Sequence, residues 1–347
     1  MPDNGLSTGL AAAGALRGRS LLRSPLFWIG IAFTLGFGYL AVRDVHLAET
    51  WDALARSDYR WLVPATATFA VAMALRAVRW RALFHEESRP PLGAALRALL
   101  VGYFFNNLLP LRAGEAARVI ALKRFCATSR VEAASTVVIE RVYDVASLFA
   151  LLFLALAWLP DLAWTTTATA LAAAFAAVLL ATIVVLTRRT ETVSALGLRL
   201  AGLVPLVGPE RAEHAVANMM RGVAGLTRSR TALVALAWTV VSWLVLAVSF
   251  WLVMKCFGLG LPLMAGILVV IATSLSLALP SSPGALGVFE AAVVLSLAAY
   301  GVPPAEALSY ALVLHAMNFF AFLIAGVFAL RPEILSPWRA AGRISRA

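Results

Sequence analysis

Six stretches of this chain, Leu26–Val42, Trp61–Trp80, Ala134–Leu159, Leu162–Leu186, Thr231–Met254 and Ala305–Leu330, stay apolar over a length near or above the ~17 residues a helix needs to cross a bilayer core. Two further regions, Leu92–Phe125 and Leu261–Tyr300, are as apolar but are broken midway by proline and glycine. Backbone N–H and C=O groups have no water to bond in hydrocarbon, so repeated runs of this kind fold as transmembrane helices or not at all. Only 14% of the residues are charged, against about 25% in a soluble domain. The expected class is an all-α polytopic membrane protein. Its 347 residues are absorbed by the apolar segments, which leaves no room for a soluble catalytic domain.

The net charge of +11 is a matter of topology rather than of a nucleic-acid partner. Basic residues gather in the N-terminal residues 1–25 (Arg17, Arg19, Arg23), in Arg79–Arg97, in the loop 188–230 and in the tail 333–347. By the positive-inside rule those segments are cytoplasmic, while Arg43–Arg60, Pro160–Asp161 and Lys255–Pro262 lie outside. The chain is therefore expected in the cytoplasmic (inner) membrane with both termini on the cytoplasmic side, and with an uncleaved signal-anchor helix following residue 25. Cys126 and Cys256 fall on opposite faces and cannot form an intrachain disulfide. The loop 188–230, with arginines among apolar positions, suits amphipathic helices on anionic lipid.

Followed span by span, this path brings Leu92–Phe125 in and out on the cytoplasmic face, and Leu261–Tyr300 in and out on the external face. The pattern of span, broken hairpin and span then occurs twice with opposite orientation, with halves at about 61–159 and 231–330 of a single domain covering 26–332. "EAARVIAL" at Glu115–Leu122 resembles "EAAVVLSL" at Glu290–Leu297, each after a Pro/Gly stretch. Glu140 follows Glu115 by the same step that takes Glu290 to His315. The expectation is an inverted-topology repeat with two Pro/Gly-broken re-entrant hairpins, an arrangement that in transporters marks a site near the bilayer midplane.

Ionisable groups inside apolar segments carry the candidate site, because each costs roughly 2.5–3.5 kcal/mol at a helix centre unless paired or used. Arg112, Glu115 and Arg118 follow the first break, and "ERVYD" places Glu140, Arg141 and Asp144 within one span. Glu140 and Asp144, at i and i+4, share a helix face. Two roles stand together here: an internal ion-pair cluster, and arginines that fork onto an anionic headgroup. Asn106 and Asn107 either cap the break or bond a polar headgroup. Ser281, Ser282, Gly284 and Gly287 could offer backbone N–H groups to an anion or simply form a turn. Glu290 could carry a proton or pair with Arg112, and His315 could be a hydrogen-bonded core residue or a protonation site. His46, His85 and His214 lie in loops and carry no signal.

"PLRAGE" (110–115), "ERVYD" (140–144) and "PSSPGALGVFE" (280–290) resemble the signature segments of the lysylphosphatidylglycerol synthase transmembrane (flippase-like) family, across roughly residues 25–332. The resemblance implies a stand-alone member without the aminoacyl-transferase domain, and a lipid flippase or transporter for a phospholipid or glycolipid headgroup. By position it implies roles for Arg112, Glu115, Glu140, Arg141, Asp144, Pro280, Gly284, Gly287 and Glu290. The expected partners are membrane lipids, with a homo-oligomer left open. No cofactor, metal or nucleic acid is expected, and no P-loop is present for nucleotide hydrolysis. The alternatives are an ion-coupled permease for a small solute and, more remotely, a polyprenyl-dependent membrane glycosyltransferase using the acidic loop with Asp44, Glu49 and Asp52.

Overall fold

The computed structural model describes residues 25–43, 45–109, 113–126, 128–156, 229–277 and 283–344. The expected span Leu162–Leu186, nearly all of the loop 188–230, the N-terminal tail, and the candidates Arg112, Ser281 and Ser282 lie outside the described residues.

Every regular element among the described residues is helical. In chain order these are α1 (Pro25–Val42), α2 (Leu47–Arg56), a 3-10 turn at Tyr59–Trp61, α3 (Leu62–Ala82), α4 (Leu92–Leu108), α5 (Gly114–Phe125) and α6 (Arg130–Leu156). There follow α7 (Ser229–Cys256), α8 (Leu263–Ser276), a 3-10 turn at Pro283–Ala285, α9 (Val288–Ala298) and α10 (Pro304–Ile344). Among the described residues, three stretches, Tyr59–Ala82, Leu233–Cys256 and Pro304–Leu330, are long and apolar enough to cross a membrane. The chain is a multi-pass membrane protein.

Prolines mark where helices begin. Pro91 and Pro262 precede α4 and α8, Pro304 opens α10, and Pro64 occupies the first turn of α3, where its missing N–H would have had no partner anyway. One element was not expected: α2 is an amphipathic helix within the segment read as an external loop, with Leu47 and Trp51 exposed and Thr50 buried.

Between helices in lipid, association rests on van der Waals packing more than on the hydrophobic effect, so small residues belong at the contacts. Helices α3 and α7 form the main pair, with Ala65, Ala72 and Ala77 wholly buried and Ser249 donating 2.8 Å to the carbonyl of Ala65. Tyr310 of α10 closes the same core, its hydroxyl donating 3.0 Å to the carbonyl of Phe250.

The molecule has two distinct ends. At one, the Asp58 N–H donates 2.8 Å to the Cys256 carbonyl and Ser309 Oγ donates 3.0 Å to the Thr50 carbonyl, so α2, the end of α7 and the start of α10 meet. At the other, Arg81 Nε bonds the Pro90 carbonyl at 2.9 Å, Ser88 bonds Glu132, and Arg97 bonds the Ala329 carbonyl at 3.1 Å while lying over the Phe125 ring. The 21 residues of α3 separate these ends by roughly 31 Å at 1.5 Å per residue. Helix α4 starts and α5 finishes at the second end, whereas α8 starts beside the end of α7 and α9 finishes beside the start of α10.

Glycine permits two close helix contacts. A Cβ on Gly114 would collide with the Gly102 carbonyl and Asn106, so α4 and α5 touch backbone to backbone. Gly287 has φ 79°, and a Cβ there would stand 2.5 Å from the Thr34 carbonyl of α1. Gly287→Ala should therefore lower the thermal midpoint of the purified protein, since the left-handed backbone alone costs roughly 1–2 kcal/mol for an L-residue; an unchanged midpoint would remove this account of the α1–α9 contact. Separately, with Cys126 and Cys256 replaced, Ser57→Cys and Ser88→Cys should react with an impermeant maleimide from opposite faces of the membrane. Labelling of both from one face would contradict the two-ended arrangement.

Candidate functional site

The break between α4 and α5 is held by Asn106. As α4 runs out, the Leu109 N–H still reaches the Phe105 carbonyl at 2.8 Å, and the Asn106 side-chain oxygen accepts from the Gly114 N–H at 2.9 Å. That bond satisfies one of the orphan donors at the start of α5, so the asparagine caps the break from the neighbouring helix. Helix α5 then projects Glu115 and Arg118, one turn apart, toward α6.

Glu140 and Asp144 of α6 meet these groups on one face. Glu140, fully buried, accepts from Arg79 Nη2 at 2.6 Å through Oε1, from Arg118 Nη1 at 3.0 Å through Oε2, and from Arg141 Nη2 at 3.2 Å through Oε1. Asp144 accepts from Arg79 Nη1 and stands 3.5 Å from Arg141 Nη1. Glu115 bridges Arg118 at 2.7 Å and Arg141 at 3.5 Å; the former contact is close but off hydrogen-bond angle, so it acts as an ion pair. Trp80 walls the cluster, with Arg118 5.0 Å over its ring and its Nε1 donating 3.1 Å to Thr136.

Three guanidiniums and three carboxylates thus form one connected network. Burying six charges is costly unless each is matched, and here each carboxylate touches at least two arginines. Exposure is uneven across it: the Arg79 side chain is 0% exposed and Arg118 4%, whereas Arg141 is 38% exposed and Glu115 27%. The network is rooted in the protein on the α3 side and open to its surroundings at Arg141.

Arg79 was missed in the sequence, where it counted with the cytoplasmic basic group Arg79–Arg97. A signal was present. Arg76 and Arg79 lie at i and i+3 inside an apolar run with no acid on their own helix, so their partners had to come from elsewhere.

The second pair of helices carries a smaller site. Glu290 Oε2 accepts from the Gly287 N–H at 2.7 Å, the half of a capping box that a glycine permits, and its Oε1 stands 2.6 Å from His315 Nδ1 of α10. The Gly287 N–H, offered by the sequence to an anion, is thereby occupied by the chain's own carboxylate. His315 also packs on Phe289, with ring centroids 4.6 Å apart. The two breaks meet: Asn107 Nδ2 donates 3.3 Å to the Phe319 carbonyl, and the Cβ position of Gly284 (φ 72°) lies 3.7 Å from the Phe319 ring and 3.8 Å from the Asn107 carbonyl.

Residues 27–326 match the family model described as lysylphosphatidylglycerol synthase TM region. The chain belongs to this family. A relative named "UPF0104 membrane protein", from Methanothermobacter thermautotrophicus, is 26% identical over 279 residues, covering 77% of this chain and 82% of the relative. All described residues of the ion-pair network, and the Glu290–His315 pair, fall inside the span that the family model covers.

Glu140→Gln should leave the two fully or nearly buried guanidiniums of Arg79 and Arg118 underpaired and destabilise the protein by about 3–5 kcal/mol. Thermal unfolding in detergent, followed by loss of the monodisperse peak, measures this. A variant as stable as its parent would show that the network adds nothing to stability.

Proposed function

We propose that the chain moves a phospholipid or glycolipid headgroup between leaflets, through a polar cleft formed by two re-entrant hairpins, α4–α5 and α8–α9, while the acyl chains remain in the bilayer. A charged headgroup crosses hydrocarbon only at a cost of many kcal/mol, so a path for it needs fixed polar groups at depth. The single observation that carries the reading is the buried arginine–carboxylate network beside a broken helix, with Arg141 presented partly exposed at its edge. Membership of a family described by a phospholipid synthase's TM region agrees with a lipid cargo.

The hairpin and repeat architecture is part of the proposal, with halves at about 61–159 and 231–330. The shift that takes Glu115 onto Glu290 also lays α3, α4, α5 and α6 onto α7, α8, α9 and α10. Helix contacts recur with it: α3–α4, α4–α5 and α5–α6 have counterparts in α7–α8, α8–α9 and α9–α10, and the crossing contact of α6 with α8 has one in α10 with α4. In the first half Glu115 meets Arg141, the residue after Glu140, and in the second Glu290 meets His315, so contacts nearly equal in sequence separation link α5 to α6 and α9 to α10. Both termini are taken as cytoplasmic, in the cytoplasmic membrane, from the basic segments. Arg112, next to the first break, is a further candidate for the headgroup.

Arginine forks onto phosphate where lysine offers a point charge. Arg141→Lys should purify normally yet slow the movement of a labelled phospholipid in proteoliposomes by about tenfold, equivalent to ~1.4 kcal/mol at the limiting step. Movement at the parental rate would return Arg141 to a purely structural role.

A further inference from the structure

Arg76 lies one turn from Arg79, nearer the middle of α3. Its guanidinium rests over the indole of Trp243 on α7, 4.2 Å from the ring centroid, and its Nη1 donates 2.9 Å to the Tyr103 hydroxyl of α4. Tyr103 in turn stacks on Phe322 of α10, with centroids 4.4 Å apart. Residues of α4 and α7 therefore hold this side chain of α3, and α10 supports the tyrosine that aims it. It is only 8% exposed, yet its Nε and Nη2 have no hydrogen-bond partner, and neither has Nε1 of Trp243 beside it.

Charge matching singles out the same residue. Arg79, Arg118 and Arg141 each stand in ion-pair contact with a carboxylate, whereas among the described residues none stands within that distance of Arg76, and Asp144, already held by Arg79 and Arg141, acts on it only from farther away. Guanidinium does not give up its proton in a protein, so burial cannot neutralise it. The unpaired Nε–Nη2 edge is one that grips a tetrahedral oxyanion with two parallel hydrogen bonds, and the stacked indole holds the plane of the fork in place. Tyr103 occupies the other nitrogen and fixes which edge is free.

We propose that Arg76, floored by Trp243 and aimed by Tyr103, seats the phosphate of a lipid headgroup within the helix bundle. The inference rests on the lipid-transport reading above and adds a cargo class: lipids bearing a phosphodiester or phosphomonoester. Arg141 at the edge of the network makes the outer contact, both terminal nitrogens of Arg79 are taken by Glu140 and Asp144, and Arg76 is the inner fork left to the cargo.

The test uses the full chain in detergent, with the shift in thermal midpoint read against short-chain phosphatidylglycerol, inorganic phosphate and short-chain diacylglycerol. Phosphatidylglycerol should stabilise the parent in a saturable way, and its apparent affinity should fall tenfold or more in Arg76→Lys, a variant that keeps the charge and loses the fork. Diacylglycerol should give no shift. An Arg76-dependent shift with inorganic phosphate supports the seat and shows that phosphate alone is read; a shift confined to the lipid supports it and shows that the rest of the headgroup or the acyl chains are also needed. Equal phosphatidylglycerol affinity in the parent and Arg76→Lys overturns the proposal. Should that variant fail to accumulate, Tyr103→Phe, which frees the aim of the guanidinium, must weaken the same affinity, and unchanged affinity there overturns the proposal equally. Proteoliposomes separate this claim from the one it rests on. Lipid movement with affinity indifferent to Arg76 removes the seat and leaves transport standing, whereas Arg76-dependent affinity without any lipid movement in the parent keeps the seat and removes transport.

Discussion

The arrangement of the first half depends on Glu140, a fully buried carboxylate that accepts from three arginines on three helices. Arg79 comes from α3, Arg118 from α5 and Arg141 from α6 itself, so one side chain sets the register of α3 and α5 against α6. Apolar packing alone would tolerate a slide of one helix along another. An ion pair in a medium without water does not, because a displacement of an ångström or two leaves a charge unmatched. The short helix α5, 12 residues long and broken from α4, is the element with the most to gain from such an anchor.

Anchoring by charge is possible only because the backbones approach closely enough for the side chains to meet. Gly102 against Gly114 brings α5 onto α4, and Gly287 against Gly38 brings α9 onto α1. Asn106 satisfies the N–H at the start of α5, while Glu290 does so before α9, each with a side-chain oxygen. The two breaks thus solve the same problem of orphan backbone donors with different residues, an amide reaching across from the preceding helix in one and a carboxylate reaching back along its own in the other. Asn107 and Gly284 then meet at Phe319, which leaves the polar groups of both breaks in one region of the interior.

Much of the helical order could be read from the sequence because it rests on local rules: apolar length set the spans Trp61–Trp80 and Thr231–Met254, and proline and glycine set the breaks. Grouping Glu115, Arg118, Glu140, Arg141 and Asp144 was also within reach, since ionisable side chains in apolar segments have to find one another. Arg79 escaped because the positive-inside rule counts an arginine near a span's end with the loop, Arg76 was not singled out within the span, and three-dimensional packing shows that α3 carries both inward. The amphipathic helix α2 escaped for another reason: its ten residues alternate with charges, and its place is fixed by contacts to residues as distant as Ser309. For Glu290 the sequence left a proton-carrying role and a pair with Arg112 open and did not offer His315 as its partner, since spacing alone does not say which helix faces which.

The two halves, taken as one repeat, form a natural control on what the charges are for. Where the first half has Arg79, Arg118, Arg141 and Asp144, the shift that relates Glu115 to Glu290 finds Met254, Val293, Ala316 and Phe319. Met254 and Val293 are wholly buried, and the second half still packs its short helices between the same neighbours. A helix pair of this kind therefore holds its place with apolar side chains and a single Glu–His contact. Replacement of buried ion pairs by well-packed apolar residues is often neutral or stabilising, so the register that Glu140 sets does not by itself call for a network of six charges. What the apolar version cannot do is offer guanidinium edges to an anion at depth. Under the lipid-transport proposal, the asymmetry between halves reflects a charged cargo in addition to the register that Glu140 sets, and the proposed contact with that cargo falls on the side of α3, α5 and α6.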